Sequence, residues 1–306
     1  MIGFSGSCQA AYPEKNINLI ITWGAGGGAD IAYRQLAAPM EKILGTTIVI
    51  QNIVGGGGTI GMNQLVQAKP DGYTIACATG GPTIIQPWLQ KLPYDPVRDL
   101  TPIVQVIGVD FVIAAKADAP YNNLKEMVAH FKKIGKTPKV GVAGTGSENH
   151  LHTILTSKKL GLPMTAVPFT QSAEAVTNTM GGIVDLASAE PTTVVGPMKD
   201  GRIKCLAIFS PERLDILKDV PTAKEQGFDI TFGGWSGLVA PKGTPNDIIT
   251  KLYNTVLKAV QDETFLKQSA TILRKIELLP GSTFADRIKN ELARNGELMR
   301  EAGIAK

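Results

Sequence analysis

Ile17-Asn18-Leu19-Ile20-Ile21-Thr22-Trp23-Gly24-Ala25-Gly26-Gly27-Gly28-Ala29-Asp30 is the stretch on which the fold turns. Its first half, 17–23, is a short apolar run with β-branched residues, ended by glycines: the pattern of a buried strand. Beyond the glycines, Ile31, Leu36, Met40, Ile43 and Leu44 recur at helical spacing until Gly45, so a helix is predicted over 30–44. A strand, a glycine loop and a helix in direct succession predict the first unit of a parallel sheet with helices on both faces.

Working outward, the same rhythm continues and then restarts. Strands are predicted over 47–50 and 73–78, with a helix over 59–68 and a turn at Lys69-Pro70-Asp71-Gly72 between them. The apolar stretch 104–115 is long enough to pass between two domains. After it come helices over 125–134, 147–160 and 173–180, interleaved with strands over 139–142, 166–167, 184–187 and 203–208. A Pro-containing segment, 219–227, precedes a strand over 235–240 and amphipathic helices over 246–260 and 284–302. At 306 residues the chain exceeds one small core. The fold class expected is α/β with two lobes: 12–108 as the first part of lobe 1, 109–224 as lobe 2, and 225–306 returning to lobe 1 with the C-terminal helices.

Three glycine loops each stand before a helix: 24–30, 55–61, and Ala143-Gly144-Thr145-Gly146-Ser147 in the other half. Glycine lets backbone turn tightly and approach a ligand closely. A helix start adds unpaired N–H groups and about half a positive charge, which together make an anion site without a basic side chain. The first loop also matches G-x-G-x-x-A. A dinucleotide site would need an acidic residue closing the second strand, where Gln51-Asn52 stands, and no Arg is placed for a 2′-phosphate. Glycines that merely allow close packing are the plainer alternative for one loop taken alone. That alternative weakens when an equivalent loop recurs in the second half.

Machinery for catalysis is thin. Of the three histidines, His150 and His152 are two apart and point away from one another on a helix, and His130 sits in a charged helix. No G-x-S-x-G elbow occurs, and Ser147 reads as a helix N-cap and ligand contact rather than a nucleophile. Cys77 and Cys205 lie in apolar strand patterns and read as buried free thiols. No metal site and no cofactor are expected. The net charge of +4, without a basic stripe or charge run, makes nucleic acid an unsuitable partner. No apolar stretch approaches the roughly 20 residues of a membrane span. Residues 1–11, small and apolar before Tyr12-Pro13, read as the remnant of an export signal, with Cys8 as a candidate lipid-anchor cysteine.

These residues resemble the Bug (TctC-like) family of extracytoplasmic solute-binding receptors of tripartite tricarboxylate transporters. The resemblance runs from Tyr12 to Gly303. It is carried by Tyr12-Pro13-x-Lys15, Ala25-Gly26-Gly27-Gly28-x-Asp30, Gly57-Gly58-x-Ile60-Gly61, Pro70-Asp71-Gly72-Tyr73-Thr74 and Leu92-Pro93-Tyr94-Asp95-Pro96. In the second half it is carried by Gly144-x-Gly146-Ser147 before His150-Leu151, Val167-Pro168-Phe169, Gly181-Gly182-x-Val184-Asp185, Val220-Pro221-Thr222 and Pro241-x-Gly243-Thr244-Pro245. Two departures stand out: Ile53-Val54 replaces the usual Arg-Pro, and Glu190 stands where Asp or Asn is common.

The resemblance implies a periplasmic-binding-protein fold of type II kind, closing over its ligand by hinge motion. It implies a small carboxylate held by Trp23, Ala25, Gly26, Gly27 and Asp30 from one lobe and Gly144, Thr145, Gly146 and Ser147 from the other. Thr79 and Gly80 are expected to line the cleft. Glu190 reads either as a cap of the helix begun by Pro191 or as a ligand contact at the cleft's far end. The expected protein is a monomer outside the cytoplasm that serves permease subunits of a membrane transporter. A carboxylate-sensing module that signals to a partner, and an α/β enzyme using the same cleft, are the rival readings.

Overall fold

The computed structural model describes residues 12–271, 275–301 and 305. The first lobe contains β1 (Ile17–Ile21), α1 (Gly28–Leu44), β2 (Ile48–Asn52), α2 (Thr59–Val66), β3 (Thr74–Thr79), α3 (Gln86–Leu89) and β4 (Leu100–Asp110). The second contains β5 (Val112–Lys116), α4 (Leu124–Ile134), β6 (Lys139–Val142), α5 (Glu148–Leu160), β7 (Thr165–Pro168), α6 (Ser172–Met180), β8 (Leu186–Ala189), α7 (Pro191–Lys199) and β9 (Ile203–Ile208). The chain then returns through β10 (Gly233–Pro241), α8 (Asn246–Ala259), α9 (Glu263–Thr271), β11 (Lys275–Pro280) and α10 (Gly281–Glu301). The call on residues 1–11, including Cys8, lies outside the described residues.

Two mixed sheets result, ordered β11-β4-β10-β3-β1-β2 and β7-β6-β8-β5-β9. The alternation of side chains along a strand explains why β1 is apolar at almost every position. Ile17, Leu19 and Ile21 enter one core with Leu36 and Met40 of α1, while Ile20 enters the core on the opposite face with Met62, Trp235 and Phe284. The second sheet repeats the device: Ile113 and Ala115 of β5 face one core, Val112 and Ala114 the other. Burial on both faces thus requires helices on both sides of each sheet.

The lobes are joined where strands change sheets. β4 passes to β5 through the single residue Phe111, and the return runs through Phe232 into β10. Phe209 donates its N–H to Phe111 O at 2.9 Å, and Phe232 donates to Phe209 O at 2.8 Å. Around them the Phe111, Phe209 and Phe232 rings pack on His152, at centroid distances of 5.5, 4.2 and 5.4 Å. Pattern alone put the boundaries after residues 108 and 224. Ile230, beyond residue 224, is packed in the same core as Ile113 and Leu206.

Two local expectations are corrected. The strand expected over 184–187 is β8, two residues on, because pairing with β6 starts at Leu186 opposite Val140. Asp185 instead takes Lys136 Nζ at 2.6 Å and the Lys139 N–H at 2.9 Å on its carboxylate. The edge strand β11 and helix α9 were not anticipated; β11 is only half-buried, so its pattern is weak.

Candidate functional site

Four helix starts converge between the lobes. Gly28 and Ala29 of α1, Glu148 and Asn149 of α5, Ser172 of α6, and Pro191 and Thr192 of α7 all line one cavity of about 90 Å³. Each start carries N–H groups that have no carbonyl one turn back, and the positive end of a helix dipole. Ser147 caps α5, its Oγ accepting the His150 N–H at 3.1 Å. A second, larger chamber of about 530 Å³ is lined by Gly55, Gly56, Gly57 and Gly58 from one side and Gly144, Thr145 and Phe169 from the other. Trp23 and Ala143 line both rooms and so form the wall between them. Trp23 Nε1 donates to Thr79 Oγ1 at 3.0 Å, which fixes the indole in that wall.

The lobes touch across this cleft. Gln86 Nε2 of α3 donates to Thr145 O at 2.7 Å. A side chain on Gly57, whose φ is +65°, would place its Cβ 2.8 Å from Thr145 O. Glu148 reaches back from the second lobe to accept the backbone N–H groups of Gly80 and Trp235. It fits because Gly80 and Gly234 lack side chains: a Cβ on either would lie 2.5 Å from Glu148 Oε1. Burial, with Glu291 and Glu190 nearby, pushes the Glu148 carboxyl up to about 8 despite those two N–H bonds.

The expected site residues divide accordingly. Trp23, Gly27, Thr79, Ser147 and Glu190 line the inner cavity, and Gly144 and Thr145 line the outer one. Ala25 and Gly26 are exposed beside it, and neither lines either chamber. Asp30 is buried behind the loop with its carboxylate fully engaged: Gly26 N–H at 2.9 Å, Arg34 Nε at 2.9 Å and Asn52 Nδ2 at 2.8 Å. Burial alone would raise its pKa, but these bonds and the Arg34 charge hold it below the usual carboxylate range. Asp30 therefore shapes the first loop. Gly80 is buried against Glu148, and the Gly146 N–H is spent on His150 Nδ1 at 2.9 Å.

Glu190 divides its backbone and side chain between two places. Its backbone holds the cap position of α7, where its carbonyl accepts the Thr193 N–H at 3.0 Å, yet its side chain makes no cap bond. The carboxylate points into the cavity instead, where Oε1 accepts Asn149 Nδ2 at 3.3 Å. Sequence reasoning missed Glu148, Asn149 and Gln171. The first two were within reach of a signal, since both follow the Ser147 cap and so occupy the first turn of α5.

His152 is buried, with Nδ1 2.8 Å from Ser188 Oγ, and burial pushes its pKa down to about 3. Cys77 and Cys205 are both buried and free. Among the described residues no cluster of His, Cys, Asp or Glu has the grouping of a metal site, and no helix is long and apolar enough to cross a membrane.

Compared with known proteins, the chain matches the model of the tripartite tricarboxylate transporter family receptor over residues 32–304. Among solved structures it is similar to the periplasmic binding protein BugD, at 32% identity and a TM-score of 0.91, over 96% of this chain and 100% of that one. It is similar to MatC from Rhodopseudomonas palustris with bound malate, at 28% identity and a TM-score of 0.88, over 94% and 99% of the two chains. A further R. palustris protein, solved with adipate, matches at 26% identity and a TM-score of 0.92, over 96% of this chain and 99% of that one.

Proposed function

The chain belongs to the tripartite tricarboxylate transporter receptor family, a family of solute-binding proteins and not of enzymes, and from that premise we propose that it captures a small organic carboxylate between its lobes and delivers it to a membrane permease outside the cytoplasm. The observation that supports this most is the meeting of four helix starts, two of them from opposite lobes and glycine-preceded, on one shielded cavity. Such a clamp binds a carboxylate by backbone N–H groups and helix dipoles, with no basic side chain required. Micromolar capture requires about −8 kcal/mol. Charge-assisted N–H contacts worth roughly 1.5–3 kcal/mol each reach that sum after ordering costs. The malate and adipate bound by its relatives make carboxylates the first ligands to try.

A thermal-shift screen against small organic acids, followed by calorimetry on the hits, tests this. A raised melting temperature with at least one carboxylate is expected, and mass spectrometry after long incubation returns that acid unchanged. Conversion of the acid in excess over protein, or binding confined to compounds without a carboxylate, sinks the proposal.

A further inference from the structure

The inner cavity also has an acidic, acceptor-rich wall at the caps of α6 and α7, apart from the two glycine-preceded starts of α1 and α5. Asp110, Glu148 and Glu190 line it, and no Lys, Arg or His does. Three buried polar atoms at its edge have no hydrogen-bond partner: Glu190 Oε2, Gln171 Oε1 and Thr192 Oγ1. All three belong to the second lobe, and all three residues line this cavity. Two of the atoms stand directly over the start of α1: a Cβ on Gly27 would meet Gln171 Oε1 at 3.2 Å, and one on Gly28 would meet Thr192 Oγ1 at 3.3 Å. Glu190 is held in place through its other oxygen by Asn149 Nδ2, and Ser172 also bonds its side chain. The carboxylate is thus positioned while one oxygen remains unpaired.

Buried polar atoms left unpaired are costly and rare, and these two carbonyl-type acceptors and one hydroxyl share one room. A carboxylate ion has no donor to offer Glu190 Oε2 or Gln171 Oε1, although the Thr192 hydroxyl can either donate or accept. An ammonium carries three N–H donors and a positive charge. We propose that Glu190, Gln171 and Thr192 form a subsite for a protonated amine, so that the ligand is a small amino acid whose carboxylate lies at the glycine-preceded starts of α1 and α5. This rests on the carboxylate reading above and adds the second pole of the ligand. Both poles are present at once: N–H groups and dipole ends for the anion, unpaired oxygens for the cation.

Calorimetry on the whole chain with matched triplets tests it. Each triplet is a two- to five-carbon amino acid, its deaminated acid and its decarboxylated amine. In wild type the amino acid of the best-binding triplet is expected to bind about ten-fold or more tighter than the deaminated acid. Glu190→Gln, nearly isosteric, is expected to bring that ratio close to one by weakening the amino acid more than the deaminated acid. Gln171→Leu is expected to lower the ratio in the same direction. A merely structural role for Glu190 would weaken both ligands alike and leave the ratio standing.

Equal or tighter binding of the deaminated acid in wild type, or a ratio unmoved by Glu190→Gln, overturns the amine subsite while the carboxylate reading survives. Equal binding of the amino acid and its decarboxylated amine does the reverse: it supports the subsite and removes the carboxylate reading. Silence from every triplet overturns the amine subsite and leaves the carboxylate reading to the acid screen above.

Discussion

Among single residues, Glu148 has the largest consequence, and nothing near it in sequence announces this. It follows a serine cap, a place where any acidic residue favours the helix dipole. Its role comes from Gly80 and Gly234, which lie far away in sequence and leave room for its carboxylate. Ser147 was legible because capping is local, and the Glu190-Pro191 pair was legible as a helix start for the same reason. Asp30 was legible as an acid at a helix start, but its use was not: Asn52, which takes one of its oxygens, sits on another strand. Glu148 also gives the molecule a pH dependence with a definite sign. Its folded pKa, about 8, lies above the ordinary 4.5, so between those values the folded chain holds a proton that the unfolded chain has lost. The stabilisation is complete below pH 4.5 and is lost as pH rises towards 8. Melting temperatures of wild type and Glu148→Gln, measured across that window, are expected to converge as pH falls and diverge in slope as it rises. Parallel curves would mean that Glu148 titrates normally.

At the scale of elements, strand–loop–helix units could be read from periodicity because each sheet is buried on both faces. Loop function was read less well. Glycines at 55–58 and 144–146 suggested a cradle for a ligand, whereas part of their use is to let two loops from different lobes meet. At Gly57 a Cβ would press on the Thr145 carbonyl, a backbone atom that cannot swing aside. At Gly146 it would meet the ends of the Gln86 and Leu89 side chains, which can. Both positions carry positive φ, so strain on substitution is common to the pair. Gly57→Ala is therefore expected to weaken ligand binding more than Gly146→Ala. Overpacking of about 1–3 kcal/mol in the closed form corresponds to about ten- to hundred-fold in Kd. Calorimetry on the two variants, with far-ultraviolet circular dichroism to verify folding, decides the order; equal losses would place the loop contact elsewhere.

For the whole molecule, the two-lobed plan was legible from one long apolar stretch, 104–115, too long for a single ordinary strand. The position of the return was not, because residues 213–232 pack by tertiary contact on the second lobe rather than by any pattern of their own. The single-residue link at Phe111, the return into β10 through Phe232 and a cleft bridged by Gln86 and Glu148 support the expectation that the lobes close as a hinged pair. Adding saturating ligand is expected to reduce the radius of gyration in small-angle scattering. Superimposable curves with and without ligand would count against hinge closure.

The packing of His152 with Phe111, Phe209 and Phe232 at those crossings has a mechanical meaning. Such a bearing is dry and, with the imidazole neutral at any pH well above 3, uncharged. Neither salt nor ordinary acidity has a charge there to act upon. The latch at Glu148 senses protons; the pivot does not. A change of pH that titrates the Glu148 bridge is therefore expected to leave the ring packing at the crossings unaltered.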